Sequence, residues 1–275
     1  MEVSIEVAGK PSQRVPLEKY VRASRKLDLT GVDWDGIAAH PLPEGARRCL
    51  SFMADVEGYT VMYLRDVLNT SAVDDPEIAR FMTLWAYEEM FHEEALARFL
   101  AAAGHQAPRE GRLRELRAQQ TLRDQAKMAA AGLLSKVTNH LVAAYLTWAA
   151  INELSTLTSY QLLARRAGHP VLTDLLGRII KDERRHFSFY YHRASIRLQQ
   201  PGARWLTANI IRHFWRPVGE GVKRPEEIAA TIGYCMAGEE GLTAAREMDA
   251  AIARLPGLEW FSRWEETWHQ MPRAA

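Results

Sequence analysis

A chain of 275 residues, 47% hydrophobic and 25% charged, has the balance of a globular protein and the length for one large domain or two small ones. Its 35 basic and 34 acidic side chains leave a formal charge of +1, so no global charge directs it to nucleic acid. Cys49 and Cys235 stand far apart and match neither a disulfide framework nor a Cys-rich zinc site. No apolar run reaches the roughly 20 residues that span a bilayer, and the N-terminus lacks a basic-then-apolar signal, so a cytoplasmic protein is expected.

Residues 1–16 read as an irregular arm, followed by a short helix in PLEKYVRASRKL and a turn-rich connector, TGVDWDGIAAHPLP. The first long helix is predicted over residues 44–68, entered after Pro43 and left at the NTS of residues 69–71. The second starts at Asp75-Pro76 and stops at Gly104. Another helix is expected in RLRELRAQQTLRDQAKMAAAGLL. The third long helix is predicted over residues 137–167, ending at Gly168, and the fourth from Pro170 to about residue 200. Shorter helices follow. The whole chain reads as all-α, with an N-terminal arm over residues 1–43, a bundle over 44–200 and C-terminal helices over 201–275.

The second long helix contains WAYEEMFHEE, residues 85–94, in which acids and a histidine stand among Trp85, Tyr87, Met90 and Phe91. Glu89 and His92 are three residues apart, which on a helix puts both on one face. The fourth helix repeats the spacing in IIKDERRHF with Glu183 and His186. One Glu-x-x-His match is weak; two on two long helices are far more specific. A carboxylate-bridged two-metal site in a four-helix bundle needs one further glutamate from each remaining helix. Glu57 on the first helix and Glu153 on the third supply them, each among apolar residues, where an unpaired acid is costly unless neutralised or bound to a cation. Four carboxylates balance two divalent ions, and some of them can bridge both. Carboxylate and imidazole donors suit iron, with manganese as the alternative. The competing reading is a bundle with solvated acids and satisfied core histidines.

At these residues the chain resembles the ferritin-like di-iron carboxylate proteins and, more narrowly, the soluble acyl-[acyl-carrier-protein] desaturases. WAYEEMFH is similar to that family's second iron helix, IIKDERRH to its fourth, and NELST to the third-helix glutamate followed three residues later by threonine. The resemblance covers about residues 44–200. It implies a ferritin-like four-helix bundle with flanking and C-terminal helices. Glu57, Glu89, His92, Glu153, Glu183 and His186 would be the ligands of two iron ions. Thr156 would be a hydrogen-bond donor beside the dioxygen site. Asp182 would accept from His92, and Glu88 from His186.

The implied activity is dioxygen-dependent desaturation of an acyl chain in a homodimer, with ferredoxin or another donor supplying electrons. Hydroxylation or N-oxygenation of a small-molecule metabolite by the same cofactor is the alternative. Some N-oxygenases of the superfamily use an additional histidine. Here His140, 13 residues before Glu153, is several turns away and disfavoured in that role. A non-catalytic iron-binding protein is the third reading. Ala149 and Ala150 beside Glu153 leave room for an alkyl channel, and Tyr59, Tyr63, Tyr87 and Tyr160 are candidate redox tyrosines. The basic stretch carrying Arg112, Arg114 and Arg117 offers a docking surface for an acidic acyl-carrier protein or ferredoxin, against the plainer reading of a solvated helix face.

Overall fold

A computed structural model describes residues 17–106, 112–118 and 138–271. Among them the structure is helical, without strands. The bundle is built from α2 (Glu44–Glu57) with its continuation α3 (Thr60–Leu68), α4 (Pro76–Ala102), α6 (His140–Ala167) and α7 (Pro170–Arg197). Each helix packs on two neighbours: α2 on α4 and α6, and α7 on α4 and α6, closing a ring of four. One long connection, holding the short α5 (Arg112–Ala118), joins α4 to α6, as in ferritin-like bundles. The rest of the helix expected in that connection lies outside the described residues. The N-terminal α1 (Leu17–Ala23) packs on α4. The chain finishes in α8 (Pro201–Phe214), α9 (Pro225–Cys235), α10 (Gly238–Ile252) and α11 (Arg263–Gln270). Among the described residues no helix is long and apolar enough to cross a membrane.

Local chemistry sets the helix ends. Asp75 caps α4 by accepting from the Glu77 and Ile78 amides at 3.0 and 3.3 Å, with Pro76 at the first helical position. The same carboxylate pairs with Arg193 and Arg197 near the end of α7, which makes α4 and α7 antiparallel. Gly168 stops α6 at φ +60°, a conformation that costs glycine nothing. His169 then caps α7 through Leu172 N–H and approaches the Ile37 carbonyl with its other ring nitrogen at 3.2 Å. The connector before α2 is thereby tied to the bundle.

The first long helix departs from its predicted course. It breaks at Gly58-Tyr59, immediately after Glu57. Tyr59 N–H turns back to the Val56 carbonyl at 3.0 Å, and Thr60 Oγ1 donates to the Glu57 carbonyl at 2.6 Å. A helix-weakening glycine and a back-bonding threonine stand together there. Beyond the break, Val61 on α3 is 41% exposed while Thr60 and Met62 are buried.

Both cysteines are free. Separated by 186 positions in sequence, their sulfurs nevertheless lie 3.9 Å apart, Cys49 on α2 and Cys235 on α9, because the C-terminal helices fold back onto the start of the bundle.

Asp55 points away from Glu57, as two residues on a helix must. Although only 3% exposed, it accepts from Arg112 Nε at 2.8 Å, from Arg112 Nη2 at 2.6 Å and from Lys223 Nζ at 2.8 Å. One buried carboxylate thus fastens α5 and the segment before α9 to α2. Removing one partner of such a pair strands the other charges, at a typical cost of roughly 3–5 kcal/mol. We expect Asp55→Ala to lower unfolding free energy by about 3 kcal/mol in urea titrations; a loss below about 0.5 kcal/mol would make the network ornamental.

Candidate metal centre

The six sequence-nominated residues converge between the four helices. Glu57 is the last residue of α2, Glu89 and His92 lie mid-way along α4, Glu153 mid-way along α6, and Glu183 and His186 on α7. All six are buried, with His92 and His186 at 0% exposure and Glu153 highest at 7%. Their donor atoms form two groups. One contains Glu57, Glu89, His92 and Glu183, the other Glu89, Glu153, Glu183 and His186, and within each group the atoms lie within 4.8 Å of one another. Glu89 and Glu183, the acids of the two Glu-x-x-His pairs, belong to both. Glu57 and His92 belong to one group only, Glu153 and His186 to the other.

The imidazoles are arranged alike. His92 turns Nδ1 toward the cluster, 3.0 Å from Glu89 Oε2 and 3.2 Å from Glu183 Oε1, and its Nε2 lies 3.4 Å from Asp182 Oδ2. His186 turns Nδ1 inward, 3.1 Å from Glu89 Oε1, with Nε2 at 2.8 Å from Glu88 Oε2. A carboxylate on Nε2 favours the proton there and leaves the Nδ1 lone pair facing the cluster. Glu88 is fully buried, whereas Asp182 is partly open to solvent at the wall of a surface cavity of about 480 Å³.

A further set of donors holds the acids. Trp85 Nε1 donates to Glu153 Oε1 at 3.0 Å, and Tyr160 Oη donates to Glu57 Oε1. The two glutamates that belong to one group each therefore take one aromatic donor. Tyr20 Oη on α1 donates to Glu88 Oε2 at 2.6 Å, and Arg185 bridges Glu88 and Asp182. Sequence reading noted Trp85 as apolar surroundings and Tyr160 as a redox candidate, and it missed Tyr20. The aromatic residue in an N-terminal helix was the sole local signal for Tyr20, and it names no partner.

Burial and like charge oppose full ionisation of the acids at the centre. Burial, followed by the neighbouring acids, pushes the Glu57 carboxyl well above its ordinary range, and burial does the same for Glu153. Burial opposes ionisation of Glu89 as well, but the two imidazoles outweigh it and hold that carboxyl well below the usual range. Burial disfavours charge on His92 and His186, yet adjacent acids, Glu89 among them, raise both well above the usual imidazole range. Both carboxylate oxygens of Glu183 and Nδ1 of His186 are buried and make no well-formed hydrogen bond, facing only the other acids and imidazoles of the cluster. Unpaired buried acceptors facing one another are what a cation-binding cluster requires and what an ordinary core avoids. The donor set therefore fits metal ions.

A protein family described as fatty acid desaturase matches this chain over residues 58–209, more than half its length. The chain belongs to the fatty acid desaturase family. The matched span holds Glu89, His92, Glu153, Glu183 and His186 and begins one residue after Glu57. No curated protein and no solved structure matches the chain. Membership makes this protein a desaturase-like oxidoreductase.

Other sequence-nominated residues of this desaturase-family chain lie as follows. Thr156, one turn beyond Glu153 on α6, is half-buried and makes no hydrogen bond among the described residues, while Thr158 bonds back to its own helix at 2.8 Å. Arg114 and Arg117 are exposed on α5, but the Arg112 guanidinium is engaged by Asp55 and by Glu115. His140 opens α6; a Cβ on Gly202 would meet its ring at 2.6 Å. Tyr87 and Met90 are 45% and 58% exposed on the outer face of α4, so within the opening motif Trp85, not these two, walls the cluster.

Loading with ferrous iron under argon is expected to give two equivalents per chain, one for each donor group, falling toward one in Glu153→Ala; an unchanged single equivalent in both proteins would rule out a paired site. Stability should also separate the apo and loaded forms. Glu57, Glu153, His92 and His186 all have raised folded values. Their contribution to the apo protein is complete below the ordinary values of 4.5 and 6.5 and is lost as pH rises through the raised ones. Metal needs the deprotonated donors, so its stabilisation grows in the same direction. The Tm difference between loaded and apo protein should widen from pH 5.5 to 8, read by calorimetry; a constant difference would contradict this assignment.

Proposed function

We propose that this chain is a dioxygen-dependent di-iron desaturase that introduces a double bond into an acyl chain delivered by an acyl-carrier protein. Ferredoxin or another donor supplies the electrons. The reading rests on one observation above all, the two donor groups that share Glu89 and Glu183 within a chain of the desaturase family. Glu57 and His92 would hold one ion, Glu153 and His186 the other, and Glu89 and Glu183 both. Iron bound there would supply dioxygen activation and the oxidising power to remove hydrogens from an unactivated carbon chain.

The chain's own residues do the rest. Asp182 and Glu88 orient the imidazoles through Nε2. Tyr160 and Trp85 hold Glu57 and Glu153 in place, and Tyr20 with Arg185 holds Glu88. A buried aromatic wall that includes Trp85, Tyr190 and the stacked rings of Phe81 and Phe189, 3.7 Å apart, keeps water from the cluster. Thr156 has a hydroxyl uncommitted to its own helix and can offer a proton beside the oxygen site. For docking an acidic partner, Arg114 and Arg117 are the exposed basic groups on α5, since Arg112 serves the fold. A homodimer is the proposed assembly.

The test compares acyl-carrier substrates, free fatty acids and small aromatic amines, with added reductase and ferredoxin, by mass spectrometry of the products. Loss of two hydrogens from a carrier-bound acyl chain is expected; reaction of a free small molecule alone would replace desaturation with hydroxylation or N-oxygenation. Thr156→Val should lower kcat about tenfold or more at unchanged iron content, and wild-type kcat in that variant would remove Thr156 from the chemistry. Arg114→Glu with Arg117→Glu should raise KM for the carrier substrate most at low salt, because screening confines surface charges to about 8 Å at physiological ionic strength. Equal KM values across the salt range would place the docking surface elsewhere.

A further inference from the structure

The chain has two cysteines, and the fold brings both to one buried seam. Cys49 and Cys235 are each 1% exposed, with sulfurs 3.9 Å apart. Thr231 and Cys235 are the buried residues of the 11-residue α9, whose remaining side chains are partly or fully exposed. The seam is closely fitted: a Cβ on Gly45, one turn before Cys49, would strike the Tyr234 ring at 2.2 Å. Next to it Arg166 donates to the Ala237 carbonyl at 2.8 Å, tying the same region to α6.

We propose that Cys49 and Cys235 are an oxidation site that forms a reversible intramolecular disulfide, a covalent clasp between the bundle and the C-terminal helices. Two thiols held at 3.9 Å need their sulfurs to close to about 2.05 Å for the bond to form. Ile228, Ile232 and Tyr234 also pack α9 against the core, so solvent reaches the two sulfurs only when α9 opens locally. With a hydroperoxide as oxidant the balance is simple. One thiolate attacks a peroxide oxygen, the O–O bond breaks, water leaves and a sulfenic acid remains. The second thiol attacks that sulfur and displaces a second water. Two thiols have then lost two electrons and two protons, and hydrogen peroxide has become two waters. Contact with Cys49 and burial both push the Cys235 thiol up, which keeps the closed seam unreactive and routes oxidation through its opening.

The position gives the bond consequences. Cys49 lies eight residues before Glu57 on α2, about 12 Å along the axis. The loop closed by residues 49 and 235 contains all six candidate ligands. A cross-link over so long a loop restricts the unfolded chain strongly and fixes the helix that carries Glu57.

Native full-length protein is treated with hydrogen peroxide, then unfolded and blocked with a thiol reagent. Its mass and non-reducing gel mobility are recorded. Expected are loss of both free thiols, a mass lower by two hydrogens, a faster-migrating monomer, and a rise in Tm of roughly 5 °C or more, all reversed by dithiothreitol. Cys49→Ala and Cys235→Ala should each abolish the fast monomer. The double variant should keep the reduced protein's Tm and ignore peroxide, which separates cross-linking from damage elsewhere. Two free thiols surviving in the native protein at peroxide levels that oxidise the unfolded chain would overturn the proposal. So would cross-linked dimers in place of the fast monomer, or sulfinic acid at either cysteine without the bond.

Discussion

Four buried carboxylates and two buried imidazoles share one space between four helices, and their mutual interaction governs this protein. Each acid has lost most of its water, and like charges at these separations cannot all ionise without compensation. Burial and the neighbouring acids push Glu57 up, burial pushes Glu153 up, and the imidazoles hold Glu89 down. Two divalent cations would discharge this conflict.

The compensation is visible in layers. Trp85 and Tyr160 each direct one donor at an acid, and Asp182 and Glu88 each present one acceptor to an imidazole. Arg185 joins the two acceptors, and Tyr20 adds a bond from outside the bundle. These contacts fix the orientation of the acids and imidazoles of the candidate centre. Farther out, Asp75 joins the start of α4 to the end of α7 through Arg193 and Arg197, and both helices carry a Glu-x-x-His pair. An ion pair at one end thereby sets the relative height of two ligand pairs about halfway along.

The break after Glu57 has a similar logic. A continuous helix would carry Glu57 and the next two turns on one rigid face. The turn at Gly58-Tyr59 ends α2 at Glu57 and lets α3 take its own orientation, with the Thr60 hydroxyl satisfying the Glu57 carbonyl. Asp55 uses the opposite face of the same turn to anchor α5 and Lys223. One short stretch thus serves the centre on one side and the outer helices on the other.

What the sequence determined by itself is local and periodic. Caps such as Asp75-Pro76 and Gly168 mark helix ends, and the i, i+3 spacing of Glu89 with His92 and Glu183 with His186 puts each pair on one face, because 3.6 residues make a turn whatever the helix packs against. Glu57 and Glu153 were legible because an unpaired acid among apolar residues is costly unless it is neutralised or bound to a cation. The tertiary structure decided the rest. It made Glu89 and Glu183 the shared acids and brought Tyr20 to Glu88 across 68 positions and Tyr160 to Glu57 across 103. It committed Arg112 to the interior and set Cys49 against Cys235. These contacts depend on the distance, height and rotation of one helix against another, and a helical period carries no record of its neighbour.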